Sequence, residues 1–158
     1  MSQLRHRIEA WARDLAKRPA ALLARLGVTP NQLTLTSLVL SAGVGLLLAQ
    51  GHFTAAAFLL LIASALDLLD GALARLTGQA TAFGAVLDST VARASEAAVL
   101  GGLLVFYARA GQDRVVYLVF AFLVGSFLVS YVRARAEGVG LKGETGVLPR
   151  GERVVLLA

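Results

Sequence analysis

The chain has 158 residues, 57% of them hydrophobic and 16% charged, and contains no cysteine. With a mean hydropathy of +0.72 it is too apolar for an ordinary soluble domain and reads as an integral membrane protein. Disulfides and thiolate metal sites are excluded, and a net charge of +5 set beside apolar spans points to anionic lipid and phosphate, not nucleic acid, as partners.

Residues 2 to about 26 place Leu4, Ile8, Trp11, Leu15, Leu22, Leu23 and Leu26 at near-helical spacing among Arg5, Arg7, Arg13, Lys17, Arg18 and Arg25. This is the pattern of an amphipathic helix lying on a membrane surface, with a break at Pro19. Gly27 to Thr34 reads GVTPNQLT, a helix start with Thr29 as N-cap, Pro30 in the first helical position and Gln32 three residues after the cap. A capped helix end also presents free amide groups to an anion. A first span is predicted from about Leu33 to Gln50, and the turn at Gly51 and His52 leads into a second from about Phe53 to Leu73. Each approaches the roughly 20 residues needed to cross the hydrocarbon. After Arg75 comes the loop LTGQAT, then a third helix from Thr81 or Ala82 to Tyr107, a turn at Arg109 to Arg114, and a fourth span from about Val115 to Val132. Val154 to Ala158 read as the start of a fifth span. No repeat or low-complexity linker divides residues 1–158, so a single all-α membrane domain is expected.

Three aspartates lie in or against these apolar runs, where a carboxylate at membrane depth costs roughly 2.5 to 3.5 kcal/mol. Such a cost suggests a function. Asp67 and Asp70 are three apart and share a helix face, while Asp88 begins the next apolar helix with Ala92 one turn further on. Three hard oxygen ligands converging between two helices suit Mg²⁺, Mn²⁺ or Ca²⁺ and do not suit a soft metal. Gly71 and Gly84, beside these acids, let a ligand or backbone approach them, and Arg75 stands at the polar end of its helix where it can neutralise a phosphate. Glu96, four residues after Ala92 and eight after Asp88, continues the same face one turn beyond Ala92, and Arg93 reads as a local charge partner.

Asp67, Asp70, Gly71, Ala74, Arg75, Gly84 and Asp88, at this spacing, resemble the signature of the CDP-alcohol phosphotransferase family. The chain departs from it at Ala92, where the family has a fourth aspartate that serves as general base and metal ligand. The resemblance implies a six-helix membrane bundle, so that four spans and part of a fifth suggest a C-terminally truncated chain. It also implies transfer of the phosphatidyl group from CDP-diacylglycerol to an alcohol with release of CMP. By the same resemblance Asp67, Asp70 and Asp88 hold two Mg²⁺ or Mn²⁺ ions, and Asn31, Gln32, Leu33, Thr34, Gly71, Arg75 and Thr81 hold the CDP-lipid.

The segment after the fourth span is dense in Arg133, Arg135, Lys142, Arg150 and Arg153 and reads first as a solvated basic loop. It also resembles the basic stretch of the phosphatidylinositol-phosphate synthase branch, in which Arg133, Arg150 and Arg153 would receive the phosphate of a phosphorylated alcohol such as inositol phosphate. Alternatives are phosphatidylglycerophosphate synthesis, whose acceptor also brings a phosphate, and an inactive CDP-lipid binder, since alanine at position 92 takes no proton and binds no metal. Basic residues fall on the side of the acidic helix ends, which the positive-inside rule makes the cytoplasmic face of the cell membrane. The family resemblance further implies a homodimer.

Overall fold

The computed structural model describes residues 18–140, which are all-helical, with no strand among them. A helix, α1, occupies 18–25, and four long helices follow: α2 (Pro30–Ala49), α3 (Phe53–Thr77), α4 (Ala82–Arg109) and α5 (Asp113–Gly138). All four are long and apolar enough to cross a membrane. The described residues divide between Phe120 and Ala121 into two compact units, the first of which carries α1 to α4.

Local chemistry sets the helix boundaries. Thr29 and Gln32 form a reciprocal capping box: the Thr29 backbone N–H donates to Gln32 Oε1 at 2.9 Å and the Gln32 N–H donates to Thr29 Oγ1 at 3.3 Å. Pro30 then fills the first helical position, as predicted, so α2 begins three residues before the apolar span expected from Leu33. Helix α3 runs four residues past the predicted Leu73 and stops at Gly78, whose φ of 67° is the left-handed conformation of a helix C-terminus. Thr81 caps α4, its hydroxyl accepting from the Gly84 N–H at 3.0 Å.

Helix α2 packs along both α3 and α4. Its buried face is Leu33, Thr34, Ser37, Ser41, Val44 and Gly45, while Leu35, Val39 and Leu46 are exposed. Small and hydroxyl side chains thus face the neighbouring helices and large apolar ones face the lipid, the usual division in a membrane bundle. The closest approach is at Gly45 and Gly102: a Cβ on Gly102 would lie 2.1 Å from the Gly45 carbonyl oxygen.

Ala20, Leu33 and Leu73 form a buried cluster joining α1, α2 and α3, with Leu23, Val28, Leu66 and Leu69 packed on it. The buried residue of α1 is therefore Ala20, which is not part of the predicted apolar stripe, whereas Leu22 of α1 and Leu26 just after it are exposed. The stripe before residue 18, Trp11 included, lies outside the described residues, as do Arg150, Arg153 and the predicted start of a fifth span.

Candidate functional site

Three helix ends build one site. The C-terminal half of α3 contributes Asp67, Asp70, Gly71, Ala74 and Arg75, and the first turns of α4 contribute Gly84, Ala85 and Asp88. A carboxylate oxygen from each of Asp67, Asp70 and Asp88 lies within 4.8 Å of the others, although Asp88 comes from a different helix. Asp70 is buried, 5% exposed, and the other two are half-buried. Three like charges at this distance repel strongly in a low-dielectric setting. A hard divalent cation relieves that repulsion, and the donor set is oxygen throughout, so the residues present fit Mg²⁺ or Mn²⁺.

Beside the acids opens a cleft of about 170 Å³ lined by Pro30, Asn31 and Thr34 of α2, by Asp70, Gly71, Ala74 and Arg75 of α3, and by Gln79 to Thr81, Gly84, Ala85 and Asp88. The N-termini of α2 and α4 both reach it, and each carries amide groups and a partial positive charge that favour an anion. Arg75 folds back along its helix: a Cβ on Gly71 would sit 3.4 Å from an Arg75 guanidinium nitrogen, in ordinary contact with it. The fit at Gly84 is closer, since a Cβ there would sit 3.2 Å from Thr81 Oγ1 and 3.7 Å from Asn31 Oδ1. Anion-receptive groups and carboxylates share one small cleft, an arrangement chemically suited to a phosphate bridged by a cation.

Of the residues predicted to hold the CDP-lipid, Asn31, Thr34, Gly71, Arg75 and Thr81 line this cleft. The Gln32 side chain instead closes the capping box, and Leu33 belongs to the buried apolar cluster. Ala92 is half-buried one turn beyond Asp88 and contributes only a methyl group. Glu96 forms an ion pair with Arg93, the local partnership predicted for that arginine. Arg133, in the second compact unit, is exposed and donates to Glu137 Oε1 at 3.1 Å. Gln79 was not predicted; its signal is an exposed polar residue in the four-residue connection between the two acid-bearing helices.

A family model, CDP-alcohol phosphatidyltransferase, matches residues 27–149. The chain is 42% identical over 158 residues to an uncharacterized protein of Aquifex aeolicus, covering 99% of this chain and 80% of that one. It is 40% identical over 140 residues to the phosphatidylinositol phosphate synthase of Corynebacterium glutamicum, covering 87% of this chain and 64% of the synthase. The chain thus spans somewhat less than two thirds of that synthase. Among solved structures, the Mycobacterium tuberculosis phosphatidylinositol phosphate synthase with CDP-DAG bound superposes with a TM-score of 0.82 at 39% identity, covering 90% of this chain and 73% of that one. The same enzyme in complex with manganese and citrate also gives 0.82 at 39% identity, over 89% and 68%.

Proposed function

The chain belongs to the CDP-alcohol phosphatidyltransferase family, and on that premise we propose that its cleft binds CDP-diacylglycerol and serves transfer of the phosphatidyl group to a phosphorylated alcohol, inositol phosphate in first place. In that reaction the alcohol oxygen attacks the lipid-bearing phosphorus, the bond from that phosphorus to the CMP oxygen breaks, and the alcohol proton passes to a base. The observation that carries the reading is the convergence of Asp70, Asp88, two helix N-termini and Arg75 on one cleft, with an Asp67 carboxylate oxygen within 4.8 Å of those of the other two acids. Relatives named phosphatidylinositol phosphate synthase at about 40% identity, one of them solved with CDP-DAG bound, support the choice of donor and acceptor.

Each residue has a part. Asp67, Asp70 and Asp88 hold the cations, two Mg²⁺ or Mn²⁺ by resemblance. Such ions, when bound, neutralise the pyrophosphate and draw electron density from the reacting phosphorus. Asn31, Gly71, Arg75 and Thr81 receive the nucleotide and its phosphates, Arg75 as a fork that matches phosphate oxygens. Arg133, Arg150 and Arg153 receive the acceptor's phosphate. Ala92 leaves the proton-accepting position empty of chemistry, so the chain binds substrate better than it turns it over. The protein works as a homodimer in the cell membrane, with the cleft on the cytoplasmic side.

The test is CMP release from CDP-diacylglycerol by an Ala92→Asp variant offered inositol phosphate or glycerol phosphate. Preference for inositol phosphate upholds the reading, and preference for glycerol phosphate replaces the acceptor with that of phosphatidylglycerophosphate synthesis. If neither acceptor releases CMP while CDP-diacylglycerol still binds, the protein is a CDP-lipid binder and the transferase reading is wrong.

A further inference from the structure

Thr34 lies in the first turns of α2, 4% exposed, and its hydroxyl stands 2.6 Å from Asp70 Oδ2 on α3 and 3.1 Å from the Pro30 carbonyl oxygen. A hydroxyl has one proton to give. The carboxylate is the stronger acceptor, and 2.6 Å falls in the range of an O–H donating to a charged oxygen. The proton therefore goes to Asp70, and Thr34 keeps no donor for a ligand in the cleft it lines. Ser37, one turn further along α2, donates to the Thr34 carbonyl at 2.7 Å and so holds that turn without touching the acids.

We propose that Thr34 is a positioning residue for the cation site: it acts through Asp70 and not by contact with the CDP-lipid. Asp67 and Asp88 both present carboxylate oxygens within 4.8 Å of Asp70 and push its side chain away. The bond from Thr34 to Oδ2 anchors the carboxylate to α2, beside the backbone hydrogen bond it accepts at Gly71, and its remaining lone pairs are left for a cation. Because the bond joins residues 36 apart in the chain, it also ties the geometry of the acids on α3 to the seat of α2. The inference rests on the reading of Asp67, Asp70 and Asp88 as cation ligands.

The experiment measures Mn²⁺ binding to the detergent-solubilised protein, without nucleotide, by the electron paramagnetic resonance of free Mn²⁺, and then CDP affinity at saturating Mn²⁺. Thr34→Val keeps the shape and removes the hydroxyl, Thr34→Ser keeps the hydroxyl, and Thr34→Ala replaces Thr34→Val if the latter does not fold. Removing a group that orients a metal ligand typically weakens the metal about 10- to 100-fold. That loss is expected for Thr34→Val, with Thr34→Ser close to the unchanged protein and CDP affinity at saturating Mn²⁺ held. A purely structural bond would lower the melting temperature and leave Mn²⁺ affinity alone, which overturns the proposal. So does a Thr34→Val protein that binds Mn²⁺ normally but CDP weakly, because Thr34 is then a direct contact. Failure of Thr34→Ser to restore Mn²⁺ affinity overturns it as well. If the unchanged protein takes up no Mn²⁺, the cation reading itself falls, and that outcome is distinct from the others.

Discussion

At the scale of single residues, the acids and the glycines beside them were legible because their chemistry conflicts with their surroundings. Asp70 stands in a helix whose first four turns are nearly all apolar, and only a ligand or partner compensates such burial. Ala92 stood out only through the family resemblance, which implies a base at that position. Restoring the base by Ala92→Asp is expected to raise CMP release about 10²- to 10⁴-fold, the usual contribution of general-base catalysis. A spectrophotometric assay of CMP checks it, and an unchanged rate would place the proton acceptor elsewhere. The stretch Asn31 to Thr34 was legible only as a block. Consecutive helical residues point about 100° apart, so Asn31 and Thr34 share a face toward the cleft while Gln32 and Leu33 turn to the cap and the apolar cluster. The bond from Thr34 to Asp70 had no signature at all, since nothing local links two residues on different helices.

At the scale of elements, the start of α2 was readable from Thr29, Pro30 and Gln32, whose backbone preferences act within a few residues, whereas the end of α3 at Gly78 lies four residues beyond the predicted one. Thr81 is such a case with a stability consequence: Thr81→Ala removes the acceptor of the Gly84 N–H and is expected to lower stability by about 1 kcal/mol, with Thr81→Ser neutral, as a thermal melt in detergent would register. Which face of α2 is buried was hidden, because in lipid the large apolar side chains point outward and the packed face is carried by Ser37, Ser41 and Gly45. The Gly45 and Gly102 approach follows from that inversion. In Gly102→Ala the new methyl meets a backbone carbonyl that moves only if α2 moves, so a loss of about 1 to 3 kcal/mol is expected, as for overpacked cores. Gly101→Ala is the internal control, since nothing lies within 4 Å of its Cβ position. Equal melting temperatures for the two variants would show that the close approach does not hold α2 against α4.

At the scale of the whole molecule, the helices have two opposite ends. The start of α2, the end of α3 and the start of α4 meet at the acidic cleft. At the far end the Arg109 guanidinium reaches the Ala49 carbonyl at 3.5 Å, and Phe53 meets Phe106 edge to face with ring centroids 4.8 Å apart. Six of the basic residues, Arg5, Arg7, Arg13, Lys17, Arg18 and Arg25, precede α2, and Arg75 ends α3, whereas the far turns carry Arg109 and Arg114 with Asp113 between them. The bias of Lys and Arg in short flanks orients membrane proteins, and it is the ground on which the cytoplasmic orientation of the cleft is proposed. The chain contains no cysteine, so single introduced thiols report sidedness without background. Gln79→Cys, in the connection beside the cleft, is expected to react with a membrane-impermeant maleimide only after the cells are opened. Gln112→Cys, in the far turn, is expected to react in cells with the cytoplasmic membrane intact and accessible. The reverse pattern would put the acids outside and remove the argument from charge bias. Labelling of both positions in intact cells would mean that α4 does not span, and the separation of cleft from far turns by one membrane thickness would then fail with it.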